Sequence, residues 1–351
     1  CLVLRSALPD ETLETVETLA VDDYPYARKL RPGGCAAHLA AMPDNAVRTL
    51  LRTAGLNRFQ DKVRECLELL VSTSPEQSSY MLMMDALGYR KNRSQFRSLA
   101  TTCSLSELKT FDQPLDRLAC LLGTAGLLRD PTRSSRPARN ENRRFLLELW
   151  DRWWRQGRET MDTEWNLAGV RPVNRPSARV WAAWELLESW TLRPLATWWN
   201  IAKKSETPQD LIRNLRNTFS PKETECQQNQ RTALCGKNSG TLGKKRTLDI
   251  LCNVVLPMLC ARARQRGDGA LEKQGEDAFL NMPRLQSNRT FSEMGHRLLM
   301  PPGRLRCVLK GAAEQQGLIA AHRDYCEPQA GDCSRCPLAN PKHIQALCSG
   351  E

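Results

Sequence analysis

Several features are missing from this sequence, and each absence removes a class of protein. No apolar run is long enough to cross a bilayer: the longest, Leu248 to Cys260, is broken by Asn253 and Pro257, whereas a spanning helix needs about 20 apolar residues. A membrane protein of the helical kind is therefore not expected. Strand patterning is almost absent, confined to Cys1–Leu4, which reads like the end of a buried strand with nothing before it. A truncated N-terminus is the expectation, and a signal peptide, of which no pattern is visible, could be hidden by it. Catalytic signatures are missing too. There are no paired carboxylates, no nucleophile–base motif and no phosphate loop, so catalytic residues stay unassigned.

What is present begins with charge. Fifty-one basic against thirty-nine acidic residues give +12 over 351 residues, and the basic side chains are mostly arginine, which suits phosphate or carboxylate recognition. Fourteen cysteines look numerous, but ten, such as Cys66, Cys120, Cys252 and Cys260, stand singly in helical or apolar surroundings as small core residues do. That points to a reducing, cytoplasmic setting.

Apolar residues recur at three- and four-residue spacing over Asp44–Ala54, Phe59–Val71, Pro75–Leu87, Asn92–Thr102, Gln113–Leu128 and Thr207–Phe219, which makes the fold class all-α. The expected architecture is a multi-helix array with a short N-terminal strand remnant and a Cys-rich C-terminal loop. Four regions follow: 1–34 as the remnant of an upstream α/β domain, 35–130 as a first helical region, 139–325 as a second, and 326–351 as the tail. A short helix is expected over Pro9–Leu19, a polar loop over Pro221–Gly243, a buried helix bent by Pro257 over Lys244–Arg264, and a last long helix over Gly303–Tyr325. All nine tryptophans fall between Trp150 and Trp199. Beside arginines they could stack nucleic-acid bases, but Trp181 and Trp184, three apart on one helix face, fit an aromatic core better.

The strongest local signal is a repeated constellation. Gly169-Val170-Arg171-Pro172-Val173-Asn174-Arg175-Pro176, followed by Arg179, has a near copy in Gly88-Tyr89-Arg90-Lys91-Asn92-Arg93, followed by Arg97. In each, a glycine permits a turn, an asparagine (Asn92 or Asn174) can cap the next helix, and two arginines four apart can share a face near a helix N-terminus, where unpaired amides favour an anion. Arg90, Asn92, Arg93, Arg97, Arg171, Asn174, Arg175 and Arg179 are therefore the candidate phosphate-binding residues. Gly243-Lys244-Lys245-Arg246 is a weaker third basic helix start. The competing reading pairs these arginines with acidic residues elsewhere in the fold.

Cys326, Cys333, Cys336 and Cys348 form a second candidate site. A Cys-x-x-Cys pair in one loop can bind one metal without strain, and the wider set suits zinc or an iron–sulfur cluster, with His343 as an alternative to Cys348. The order Cys-x6-Cys-x2-Cys followed by Pro-Leu resembles the iron–sulfur loop of endonuclease III-type DNA glycosylases, whose fourth cysteine would fall at Lys342.

The two arginine motifs, together with Asn253-Val254-Val255-Leu256-Pro257 and Glu314-Gln315-Gln316-Gly317-Leu318-Ile319, resemble in this order the bacterial family catalogued as domain of unknown function 2851, over nearly the whole chain. Members of that family usually begin with a region whose Gly-Pro-Asp-Phe and Glu-Ile-His segments look similar to the acidic core of PD-(D/E)XK nucleases, and the present chain reads as the helical remainder. The resemblance implies a nuclease-like neighbourhood in which any nuclease activity lies upstream, and it supplies no reaction of its own. The expected function is a helical nucleic-acid-binding module with DNA or RNA as partner. Two alternatives stand beside it: a pocket for a small phosphorylated or acidic ligand, and a structural, protein-binding scaffold.

Overall fold

Helix starts in this chain are written into its side chains. Ser74, Ser104, Thr207 and Thr224 each accept a hydrogen bond from the amide three residues on, at 3.3, 3.2, 3.1 and 3.3 Å, satisfying a donor otherwise unpaired at a helix N-terminus. Pro75, Pro114, Pro176, Pro194 and Pro208 each open a helix, where a missing N–H is harmless. The computed structural model describes residues 32–128, 130, 140–168, 170–221, 223–236, 242–287, 289–299, 302–328 and 332–340. The expected strand at Cys1–Leu4 and helix at Pro9–Leu19 lie outside them.

The fold is all-α. Along the chain run α1 (Ala36–Ala41), α2 (Asp44–Ser72), α3 (Pro75–Leu87), α4 (Arg93–Thr102), α5 (Leu105–Leu108), α6 (Pro114–Thr124), α7 (Asn140–Arg155) and α8 (Pro176–Ser189). They are followed by α9 (Pro194–Lys204), α10 (Pro208–Thr218), α11 (Glu225–Cys235), α12 (Lys244–Ile250), α13 (Leu256–Gln265), α14 (Gly269–Leu280), α15 (Arg289–Leu299), α16 (Pro302–Val308) and α17 (Ala312–Ala321). Among the described residues there is no strand, and extended pairing is limited to one isolated bridge between Pro283 and Gly311.

The chain divides into two compact units, Cys1–Phe59 with Leu280–Glu351, and Gln60–Phe279. This division follows long-range contact, and the boundaries suggested by composition do not coincide with it. In the first unit Leu39, Val47, Leu51, Met294, Leu299, Val308 and Leu318 form the core. Gly55, the residue after the expected helix Asp44–Ala54, instead lies inside α2. A Cβ at Gly55 would overlap the carbonyl of Ala313, and one at Gly317 would overlap the carbonyl of Leu51, so α2 and α17 cross backbone to backbone only because both positions are glycine. Buried Glu314 caps the α17 start through Gly311 N at 2.8 Å. The expected helix Gly303–Tyr325 is broken into α16 and α17, with extended Gly311 between them in the bridge to Pro283. Gln315 accepts from Leu285 N at 2.6 Å and donates to Leu285 O at 3.2 Å.

In the second unit the tryptophans are mainly core. Trp181, Trp184, Trp190 and Trp198 are buried, with edge-to-face pairs at 4.9 Å for Trp181–Trp184 and 5.6 Å for Trp190–Trp198, a geometry favoured by ring quadrupoles. Of the tryptophans, Trp154 alone stands among the exposed large hydrophobics of the described residues. The polar stretch expected as a loop after Pro221 contains α11, whose start is a reciprocal capping box between Thr224 and Gln227. Between α12 and α13 the helix widens into a π-turn over Leu251–Val255, just before Pro257, which cannot donate to the preceding turn. Asn253 in that turn donates to Asp249 O at 2.7 Å and accepts from the Lys62 ammonium.

Candidate functional site

The first arginine motif is a tight turn at the end of α3. Asn92 N donates back to Gly88 O at 3.1 Å, and a Cβ at Gly88 would overlap the Asn92 carbonyl, so glycine is required there. Tyr89 follows with φ +53°, a left-handed conformation that non-glycine residues adopt only when their surroundings hold them. Asn92 does not cap α4 with its side chain. It is buried and faces away, its Nδ2 donating to Asn166 O at 3.0 Å and its Oδ1 accepting from Asn166 N at 2.7 Å. Gln95 donates to Glu164 O at 3.1 Å, and the Lys91 ammonium to Ala168 O. The first motif therefore grips the segment that leads directly into the second. Gly169 itself lies outside the described residues.

The second motif also departs from the expected cap. Asn174 ends a short 3-10 turn, Pro172–Asn174, and the cap position of α8 is Arg175, with extended ψ of 147° and no side-chain cap bond. Arg175 is exposed at the cap whereas Arg179 is buried, so the two guanidinium groups are not offered to one surface. Asn174 Oδ1 accepts from Arg179 Nη2 at 3.0 Å.

The candidate arginines have three different environments. Arg93 and Arg97 converge on the buried carboxylate of Asp85, at 2.6 and 3.2 Å, and the Asp85 hydrogen bond pushes the Arg93 pKa up. Both remain more than half exposed, at 64% and 56%. Arg90, Arg171 and Arg175 are exposed, and their guanidinium groups make no ion pair with a described residue. Arg179 is 2% exposed. Its Nη2 donates to Val173 O and Asn174, while Nε and Nη1 have no acceptor among the described residues. Burial, with Arg246 nearby, pulls its pKa down, while Tyr89 acts the other way. The guanidinium carbons of Arg179 and Arg246 lie 5.6 and 4.0 Å from the Tyr89 ring centroid, within cation–π range. Arg246 also donates to Ala86 O, and its Nε is likewise without an acceptor among the described residues.

A family model described as protein of unknown function (DUF2851) matches residues 1–287, most of the 351-residue chain. The chain belongs to the DUF2851 family. No curated protein and no solved structure matches it. Both arginine motifs and Asn253–Pro257 fall inside the DUF2851 match, whereas Glu314–Ile319 and the C-terminal cysteines lie beyond it, so the matched span is shorter than the expected resemblance. No helix among the described residues is long and apolar enough to cross a membrane.

Some residues of this DUF2851 chain carry no local sequence signal. Tyr89 and Asp85 organise the arginines only through packing, and Arg246 is marked in sequence solely by its basic helix start. Paired carboxylates, absent from the sequence patterns, arise between α8 and the segment before α11. Buried Glu185 shares a hydrogen bond with Glu223, and burial together with that bond pushes Glu185 up to about 8. Glu223 is held by Arg231 at 2.7 and 2.9 Å. In the other unit Cys35, which reads as an isolated core cysteine in sequence, is buried in one core with Cys336, with Cys326 packed against that core, and the sulfurs of Cys35 and Cys333 both lie beside Gly33. Cys348 and His343 lie outside the described residues.

Proposed function

We propose that the interlocked loops Gly88–Arg93 and Arg171–Arg175 form a phosphate-binding face for DNA or RNA, within a cytoplasmic helical module of a nuclease-like protein. The observation that carries this reading is the fastening of one motif to the approach of the other by Asn92 and Lys91, with Arg90, Arg171 and Arg175 exposed and without carboxylate partners among the described residues. Arg93 and Arg97 contribute less, since Asp85 already neutralises part of their charge. Contacts of this kind position a nucleic acid without reading its sequence. Five of the nine tryptophans are buried and so are not available to stack on bases, which leaves electrostatics as the main contribution in this reading.

Fluorescence anisotropy with single-stranded DNA, duplex DNA and RNA over a salt series tests this. Affinity falls steeply with salt, and the Arg90→Ala, Arg171→Ala, Arg175→Ala triple variant shows a log–log slope shallower by about 0.7–0.9 for each phosphate it no longer neutralises. An unchanged slope rules the face out.

Arg179 supports a second reading, a site for one small phosphorylated or acidic group. A buried guanidinium with two nitrogens unbonded and no carboxylate partner among the described residues is costly unless something pairs with it. Inorganic phosphate then raises the thermal midpoint of the wild type at constant ionic strength and leaves that of Arg179→Met unchanged. Equal response of both proteins removes this reading.

A further inference from the structure

The two loops of the proposed face meet at one buried residue. Arg179, on α8, is 2% exposed and touches both. Its Nη2 donates to Val173 O and, at 3.0 Å, to Asn174 Oδ1 in the Arg171–Arg175 loop, and its guanidinium carbon lies 5.6 Å from the ring centroid of Tyr89 in the Gly88–Arg93 loop. Arg246, near the start of α12, reaches the same ring at 4.0 Å. Three distant stretches of the second unit thus bring two guanidinium groups to one tyrosine. Like charges repel, and more strongly where water is excluded. Among the described residues the carboxylate within ion-pair reach is that of Asp249, 3.7 Å from Arg246 Nη1, and Arg179 has none.

The unused donors point to an anion. Arg179 Nε and Nη1 and Arg246 Nε are buried and have no acceptor among the described residues, whereas buried polar groups are ordinarily paired. The Nη2 atoms of the same two side chains donate to the backbone carbonyls of Val173 and Ala86, which fixes both groups in place. Tyr89 is the side chain placed to give access. Its ring is only half-buried, lies against both guanidinium groups and belongs to a residue held at φ +53°, a strained backbone of the kind found at ligand clamps. Its neighbour Arg90 is exposed, as are Arg171 and Arg175 on the other loop, so rotation of the ring joins the buried guanidinium groups to the exposed face.

We propose, resting on both the exposed face and the Arg179 anion site above, that Arg179 and Arg246 receive the terminal phosphate monoester of a nucleic-acid strand, so that the module binds strand ends. Burial and charge select the end over the middle of a strand. An internal phosphodiester carries one negative charge and chain on both sides, so bringing it to a guanidinium this deep would bury the sugars on either side of it. A terminal phosphate carries chain on one side only. At pH 7 a phosphate monoester has a charge of about −1.5 to −2, which matches two guanidinium groups, and guanidinium is the side-chain cation best suited to phosphate. Arg90, Arg171 and Arg175 then hold the diester phosphates that follow.

The test is fluorescence anisotropy of the full chain, at constant ionic strength, with one single-stranded oligonucleotide labelled on an internal base and ending in a 5′-phosphate, a 3′-phosphate or hydroxyls only. Wild type is expected to bind one phosphorylated form at least about tenfold more tightly than the hydroxyl form, the strength of hydrogen bonds to a charged group. Arg179→Met is expected to bring that ratio to about one. Should Arg179→Met fail to fold, Arg246→Met is expected to lower the ratio as well, and the wild-type comparison needs no variant. The Arg90→Ala, Arg171→Ala, Arg175→Ala triple variant weakens every form and keeps the ratio. Equal wild-type affinity for the three oligonucleotides, with a steep salt dependence, overturns end recognition and leaves the exposed face standing. Thermal stabilisation by inorganic phosphate without any preference among oligonucleotides overturns it in favour of a small ligand at Arg179. Failure to bind any oligonucleotide overturns it together with the face, and a preference that persists in both Arg179→Met and Arg246→Met overturns it by placing the phosphate elsewhere.

Discussion

Glu185 illustrates how much one buried side chain can change. Its pKa is raised by burial and by the hydrogen bond to Glu223, so at pH 6 the folded chain holds a proton that the unfolded chain has released. Stability is therefore fully present below the ordinary value of 4.5 and is lost as pH rises towards about 8, by at most about 1.4 kcal/mol per pH unit. Urea unfolding at pH 5, 6, 7 and 8 should show this decline, and Glu185→Gln should flatten it. A decline of the same steepness in the variant would assign it to other groups. Asn92 offers a different residue-scale test. It makes two hydrogen bonds to Asn166 while buried, so Asn92→Ala is expected to cost about 2 kcal/mol and to reduce amide-exchange protection at residue 166. Neither residue can be given its role from sequence. A glutamate within a helix and an asparagine at a helix start both have ordinary local readings, and only the packing around them removes the water that makes those readings sufficient.

At the scale of elements, the helices follow local rules and their joins do not. Serine and threonine caps, first-turn prolines and three-to-four periodicity place most helices where they occur. Gly55 departs from its local reading because a glycine in a helical pattern usually marks an end, whereas its actual reason is the Ala313 carbonyl against it, from a distant part of the chain. Gly317→Ala is expected to destabilise the protein by about 1–3 kcal/mol, the range for overpacking, because its Cβ would meet the Leu51 backbone, which cannot rotate away as a side chain would. Denaturant midpoints measure this, and an alanine at the open position Gly243 serves as the control. The polar α11 escapes periodicity for the opposite reason. Its apolar content is low, and its start depends on the Thr224–Gln227 box, a signal that is clear once the cap is located and weak before.

At the largest scale, two segments far apart in the chain share one core, Cys35 to Leu51 with Phe291 to Leu338, within the unit Cys1–Phe59 with Leu280–Glu351. A chain truncated after Phe279 leaves Leu39, Val47 and Leu51 without Met294, Leu299, Val308 and Leu318. It is expected to bind hydrophobic dye and to lose cooperative unfolding in the first unit, and a truncated chain with full cooperativity would contradict the shared core. The order of amino acids is enough to set the helical class, the positions of most helix starts, the basic balance and the presence of two related arginine turns, because each depends on interactions within a few residues. Only the packed fold makes the turns interlock, gives Arg93 and Arg97 one shared partner in Asp85, buries Arg179 beside Tyr89, and brings Cys35 to the C-terminal cysteines. Those outcomes depend on which distant surfaces exclude water together, and no local spacing encodes that.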